Sequence, residues 1–595
     1  MASPATPYDA VRRRPDGPRP LDALRVDVGG PPALTRVVAD HLGRLGGRVR
    51  STDSGRIGVD GAGFAPVTAD TAWGAHGSGV EDEATAQAAT GVMAVHGRRH
   101  GSPRGLGVDY LATATGVLTV QGLLAALVAQ ARGAEGPRRV STTADGAGLL
   151  AVSQYLAAAG ADEQEAVELA AGGPPFTSAD GVDFELETLD PGAWAAFWRA
   201  LGAPADAIRA GWRPFQFRYA TACAPFPPAL HAVTRRHGIA EALRAAAVSG
   251  AEVCRLRTLA ERAREDDGAD PWSLRPLPPA APAAPRPAPT AGPLAGLTVL
   301  EAGRRIQAPL AAHLLGRLGA RVVRIEPPGG DPLRGMPPAC DGVSARWLAL
   351  NRGKEAVEID IKSPGDRRRL IELAAEADVF LHNWAPGKAA ELGLDSADLA
   401  AAAPSLVYAY TGGWADRIAD APMGTDFMVQ ARTGVAEAVR PAGEPPAPSL
   451  MTLLDLLGGL HGAEAVLAGL LLRERTGHGV RVDSSLLGAA DTLLAPALDR
   501  VRRGDDPRPP AGFRRPLRTS DGWIAPGDAC AEAAAAHDLG GMCTEDALHR
   551  LRSRGLTATA VTTDLATLFH DPRLSGPIGR DAHGAPAVPD PWSLA

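Results

Sequence analysis

Asp455 stands at the head of the apolar run "LLGGLHGAEAVLAGLLL", with Gly458 and Gly459 close behind it. Aspartate is a favoured helix cap and a helix start favours negative charge. Read from the residue alone, capping is therefore the stronger reading, and a nucleophilic carboxylate is the other. The two glycines offer either backbone N–H groups that a substrate can approach closely or positions where helices pack. His461 lies six residues past Asp455 and reads as structural. Glu326 ends "RVVRIE", where a dinucleotide-binding unit keeps its ribose-binding carboxylate. The preceding turn, "EAGRRIQAP", lacks GxGxxG, however, and places Arg304 and Arg305 where phosphate-cradling glycines belong, which argues against NAD or FAD. The five cysteines (Cys223, Cys254, Cys340, Cys530 and Cys543) never fall in CxxC spacing, so they write neither a disulfide framework nor a zinc site.

The elements that must position these residues read as α/β. "LTVLEAG" is a short buried strand, "IQAPLAAHLLGRLGA" an amphipathic helix closing on glycine, and "RVVRIE" a second strand. "AVEIDI", "DVFLHNW" and "LVYAYTG" continue the alternation. This predicts a doubly wound, mainly parallel, Rossmann-like sheet with helices on both faces, and a smaller α+β domain beside it. A chain of 595 residues exceeds what one core organises, so more than one domain is expected. Its formal charge of −7 gives no electrostatic argument for nucleic acid or an anionic membrane. The N-terminus is polar and Pro-rich, and no run reaches the roughly 18 consecutive apolar residues of a membrane helix. A cytoplasmic protein is expected.

The sequence also repeats itself. "GRLGGRVRSTDSG" from Gly43 matches "GRLGARVVRIEPPGG" from Gly316, an offset of 273, and "QAATGVMAV" from Gln87 matches "QARTGVAEAV" from Gln430, an offset of 343. The first copy thus lacks 70 residues, between Asp53 and Gln87. "DPWSL" closes both halves, at Asp270–Leu274 and Asp590–Leu594. The expected organisation is a truncated copy over 1–274, a stiff Pro/Ala-rich linker over 275–293, and a complete half over 294–595. The complete half divides into 294–500 and a reduced small domain over 501–595.

The ordered segments "LTVLEAGRRIQAPLAAHLLGRLGARVVRIEPPGGDPLRG", "LNRGKEAVEIDIKSPGD", "ADVFLHNWAPGKAAELGLD", "TDFMVQARTGV" and "LLDLLGGLHGAEAVLAGLLLRERTGHGVRVDSSL" resemble the family III CoA-transferases from Leu294 to about Leu487. The resemblance implies that Asp455 is a nucleophile that attacks an acyl-CoA thioester. A mixed anhydride and then an aspartyl-CoA thioester would follow, and an acceptor acid would take the CoA. It implies coenzyme A as the acyl-CoA co-substrate, no metal, and CoA contacts at Ile306, Gln307, Ala308, Ile359, Asn383, Trp384 and Ala385, with Trp384 stacking on the adenine. Glu391 and Pro327 stand where relatives carry arginines, leaving Arg324, Arg334, Arg352 and Lys354 as the nearest basic residues. No counterpart of the family's glycine-rich loop lies between Arg500 and Arg518. Ala112 matches Asp455 in the first half, so that half is expected to be a silent pseudo-subunit. The halves would then form an intramolecular pseudo-dimer, in place of the family's interlocked homodimer, with further homo-oligomers open. Racemases of the same superfamily use a histidine in GHD, which here reads "GTD" (Gly424 to Asp426), so an α-methylacyl-CoA racemase is the second reading. A non-catalytic acyl-CoA binder is the third.

Overall fold

In a computed structural model, which describes residues 17–165, 167–278, 288–289 and 291–595, the β-branched runs of the second half form a seven-stranded sheet. Its spatial order is Glu355–Glu358, Arg321–Glu326, Thr298–Ala302, Val379–His382, Val407–Gly412, Val480–Ser485 and finally Trp272–Pro276. The first six strands are parallel to their neighbours and the last is antiparallel. Helix Gln307–Arg317 buries Leu310, Leu314 and Leu315 on its apolar stripe. Helix Leu453–Thr476 packs against it and, on another side, against helix Tyr110–Ala131 of the first half. These two central helices are buried on all sides and mainly apolar, as helices surrounded by protein tend to be. By length and composition both could cross a bilayer, but both are buried inside the protein.

The first half repeats this plan in six strands. Their order is Arg48–Ser51, Arg25–Val28, Ile57–Gly61, Phe64–Ala72, Arg139–Thr143 and Ser593–Leu594. The gap left by the missing 70 residues is closed by a hairpin that sequence reading missed. Its turn at Gly61, Ala62 and Gly63 has φ values of 107°, 50° and 84°, a left-handed path that glycine makes accessible. The hairpin strand Ile57–Gly61 runs antiparallel to both neighbours, at the sheet position that the parallel strand Val379–His382 holds in the other half.

The repeated pentapeptide exchanges partners. Trp272–Pro276 ends the first half yet pairs with Val480–Ser485 of the second, Leu274 opposite Val482. Ser593–Leu594 ends the second half yet pairs with Arg139–Thr143 of the first. Arg275 and Pro276, expected to open the linker, are therefore the last residues of a strand. Residues 279–287 and 290 of the predicted linker, like residues 1–16, lie outside the described residues. Trp592 is buried and donates its indole N–H to the Leu118 carbonyl at 2.7 Å. Trp592→Ala is expected to cost about 3–5 kcal/mol, the usual loss for a buried tryptophan, as a lowered denaturant midpoint for the whole chain.

Each half also carries a three-stranded antiparallel sheet in its smaller domain. In the first half this is Phe176–Thr177, Asp183–Glu187 and Glu252–Arg255, and in the second it is Leu517–Arg518, Trp523–Pro526 and Ala558–Ala560. The small domains cross over as the tails do. The first packs on helix Asp426–Thr433 of the second half, and the second packs on helix Glu83–Ala89 of the first.

Candidate active site

Asp455 lies in the first turn of the second central helix, yet it is not the cap. Asp426 does that work from another helix, its Oδ2 accepting from the N–H groups of Leu454 at 2.7 Å and Asp455 at 2.8 Å. The Asp455 carboxyl is thereby left to line a cleft of about 680 Å³. Burial, then the adjacent Asp426 carboxylate, pushes Asp455 well above the usual carboxylate range, and Arg305 pulls against them. Asp426 is itself raised to about 6 by burial, against the hydrogen bonds it receives. Thr452, just upstream of the helix, has φ +47°, and Arg305, on the facing loop, has φ +61°. Left-handed backbone at non-glycine residues is strained and concentrates at functional sites.

Of the residues expected to contact CoA, Ile306, Gln307, Asn383, Trp384 and Ala385 line this cleft together with Asp455. Ala308 and Ile359 do not. Ala308 is fully buried in its helix, and Ile359 is buried in the core beneath the sheet. Trp384 is only 8% exposed and packs on His382 at 4.9 Å and against Phe380, so it forms part of the cleft wall rather than a free stacking plate. Asn383 uses its amide on the backbone of Arg304, accepting at 2.8 Å and donating at 2.9 Å, and so fixes the "GRRI" loop. The glycines behind Asp455 are packing positions. A Cβ at Gly458 would meet Gln307 and Leu486 at 2.8 Å, and one at Gly459 would meet Leu310 at 2.9 Å.

The basic residues nearest in sequence are occupied elsewhere. Arg324 and Lys354 are buried on Glu301, and Arg324 also pairs with Asp331. Arg334 pairs with Glu326 at 2.8 Å over the Trp347 ring. Arg352 donates to the Pro586 carbonyl at 3.0 Å. Glu391 pairs with Lys388 at 2.8 Å. The cations that do line the cleft are Arg304, Arg305 and Lys388. The two arginines were visible in "EAGRRIQAP", where they read only as a departure from a dinucleotide turn.

The first half completes the cleft with Glu187, Leu189, Tyr219 and Glu252. The Tyr219 ring lies 5.5 Å from the Arg305 guanidinium. Glu187 accepts from Thr425 Oγ1 at 2.9 Å and is held by buried Arg218 at 3.0 Å. These walls come from more than 200 residues before Asp455 in sequence, with no local signal to announce them. No histidine is among the described residues that line the cleft, and His461 is buried away from it.

The same frame stands in the first half without the aspartate. Glu83 takes the place of Asp426, accepting from Leu111 N–H and Ala112 N–H at 2.8 Å each and from the Gln87 amide at 2.8 Å. Gln87 accepts from Leu106 N–H as Gln430 does from Ser449 N–H, both at 2.8 Å. Ala112 sits where Asp455 would. Arg514, from the second half's small domain, is buried over this position, donating to the Leu106 and Val108 carbonyls and pairing with Asp109 and Asp528 at 2.6 Å.

Two α/β units, one with a half-buried carboxyl group at the head of a buried helix and one with alanine there, make a duplicated frame. The family model for CoA-transferase family III matches residues 69–278 and 294–569, and the chain belongs to that family. It is 36% identical over 208 residues to succinyl-CoA:glutarate CoA-transferase of Mus musculus, covering 34% of this chain and 47% of the relative. It is 35% identical over 216 residues to acetyl-CoA:oxalate CoA-transferase of Acetobacter aceti, covering 36% and 55%. The chain spans about half the length of these curated relatives. Among solved structures, a CAIB/BAIF family protein from Brucella suis is 25% identical, with 50% of this chain and 94% of that one covered and a TM-score of 0.44.

Proposed function

We propose that this chain transfers CoA between an acyl-CoA thioester and a carboxylic acid, with Asp455 as the covalent carrier. The observation that carries the reading is the division of labour at the helix start. Asp426 satisfies the backbone, and Asp455 faces the cleft. The Asp455 carboxylate attacks the thioester carbonyl and expels CoA thiolate, leaving a mixed anhydride. The thiolate attacks the aspartyl carbonyl and releases the donor acid, leaving aspartyl-CoA. The acceptor carboxylate and the thiolate then run these steps in reverse on the new acid. Arg305 and Gln307 line the cleft beside Asp455, and Arg305, whose charge opposes the rise of the Asp455 carboxyl, is the group proposed to meet negative charge on the anhydride and thioester oxygens. The named relatives act on glutarate and oxalate, which makes short dicarboxylic acids the first acceptors to try. The racemase reading has less support, because the cleft offers no histidine for proton exchange.

Mixing the protein with succinyl-CoA or acetyl-CoA and quenching in hydroxylamine is expected to place a hydroxamate on the peptide that contains Asp455. Intact-mass and peptide mass spectrometry would read it. A label on another peptide, or turnover with no adduct, would defeat the assignment.

A further inference from the structure

Three polar side chains that play no part in the cleft meet at the seam between the halves. His41 comes from helix Pro32–Arg44 of the first half, while His461 and Glu464 share one face of the second central helix at i, i+3 spacing. All three are fully buried. One donor atom from each lies within 4.8 Å of the other two. His41 Nδ1 is 2.9 Å and 3.1 Å from the two Glu464 oxygens. His41 Nε2 and both ring nitrogens of His461 have no protein partner. The Trp272 ring closes the cluster, 4.8 Å from His41 and 6.4 Å from His461 between centroids.

Each buried polar atom without a partner costs about 1–3 kcal/mol, and three such nitrogens at one point is a heavy toll for a helix seam. A His–Glu pair alone leaves His461 unexplained. Two imidazoles and a carboxylate are the donor set that borderline divalent cations take, zinc first among them. Zinc bonds of about 2.0–2.1 Å place ligand atoms roughly 3.4 Å apart, so separations within the 4.8 Å cluster need to contract by at most about 1.4 Å, while the close His41–Glu464 contact opens slightly. The second oxygen of Glu464, or a water, completes the coordination. We infer that His41, His461 and Glu464 form a structural divalent-cation site, of zinc type, that fastens the first half to the second. The site is separate from the reaction. His461 lies about 9 Å along the helix from Asp455 at 1.5 Å per residue, and none of the three residues lines the cleft.

The test uses the full chain expressed in zinc-supplemented medium, with its thiols alkylated before exhaustive dialysis against metal-free buffer. Elemental analysis is expected to find about one zinc per chain, lost in both His461→Gln and Glu464→Gln. Chelation of the parent at elevated temperature should lower its melting temperature without changing turnover by the folded fraction. Cobalt-substituted protein prepared with its thiols free should show visible d–d bands and no near-ultraviolet sulfur-to-cobalt band, since no cysteine belongs to the site. Less than about a tenth of an equivalent bound, as for a pocket that holds only water, would overturn the proposal. So would zinc that survives both substitutions or a sulfur-to-cobalt band. If either variant fails to fold, the metal content and cobalt spectrum of the parent decide alone.

Discussion

Asp455→Asn should fold, lose CoA transfer by at least about 10³-fold, and be more stable than the parent above neutral pH. The loss follows because an amide cannot form the anhydride or the thioester. The gain follows from the raised carboxyl. Asp455 holds its proton in the folded chain at pH values where the unfolded chain, with an ordinary aspartate near 3.8, has released it. The folded state then binds more protons than the unfolded one, so stability falls as pH rises above that ordinary value. The fall levels off once the raised native value is passed. Asparagine takes up no proton, so the variant's advantage should be absent at the acid end and grow with pH, as read by thermal melts across the range. The same raised carboxyl sets the acid limb of parent activity above the usual carboxylate range, since only the ionised form attacks. Full turnover by a folded Asp455→Asn would remove the residue from the mechanism.

Glu83→Ala and Asp426→Ala make a matched pair. Each deletes a buried carboxylate that receives two backbone N–H groups and one glutamine amide, and each should cost about 3 kcal/mol or more. Their effects on transfer should diverge. Asp426→Ala frees the helix start that aims Asp455 and removes the neighbouring charge, so the folded fraction should lose rate and its acid limb should shift to lower pH. Glu83→Ala acts beneath Ala112, and transfer per folded molecule should stay within about two-fold of the parent, as expected for distant, independent sites. Denaturant titration with initial rates at matched folded fraction separates the two. Folded but inactive Glu83→Ala would mean that the first half does chemistry.

The second half was legible because its strands and helices are written in local pattern. Apolar runs ended by glycine, together with five ordered motifs, located the parallel sheet, Asp455 and most of the cleft loop. Reading failed wherever partners are far apart in sequence. The hairpin Ile57–Ala72 hid in a stretch whose only signal was Gly-Ala-Gly. The capping role of Asp426 depends on a contact across 29 residues. The engagement of Arg324 and Lys354 with Glu301 depends on strand order, which no single segment records. Ile359 resembles a ligand contact by position, but its side chain points into the core. Glu187, Tyr219 and Glu252 belong to the copy read as a silent pseudo-subunit, and nothing near them in sequence indicates that they wall the other copy's cleft.

The exchanged "DPWSL" strands make the molecule a clasp whose two hooks face opposite ways. Breaking the chain between the halves would not release them, because each fragment would still hold the other's edge strand in register and its tryptophan in the shared interior. The covalent connection is thus a matter of bookkeeping during synthesis more than of holding the finished object together. Its lasting effect is to enforce a one-to-one ratio of a half that carries Asp455 and a half that carries Ala112. A dimer of identical subunits cannot maintain that asymmetry, because every substitution appears in it twice. Here one copy carries Ala112 beside the buried Arg514 at the position of Asp455, while its Glu187, Tyr219 and Glu252 line the cleft of the other copy.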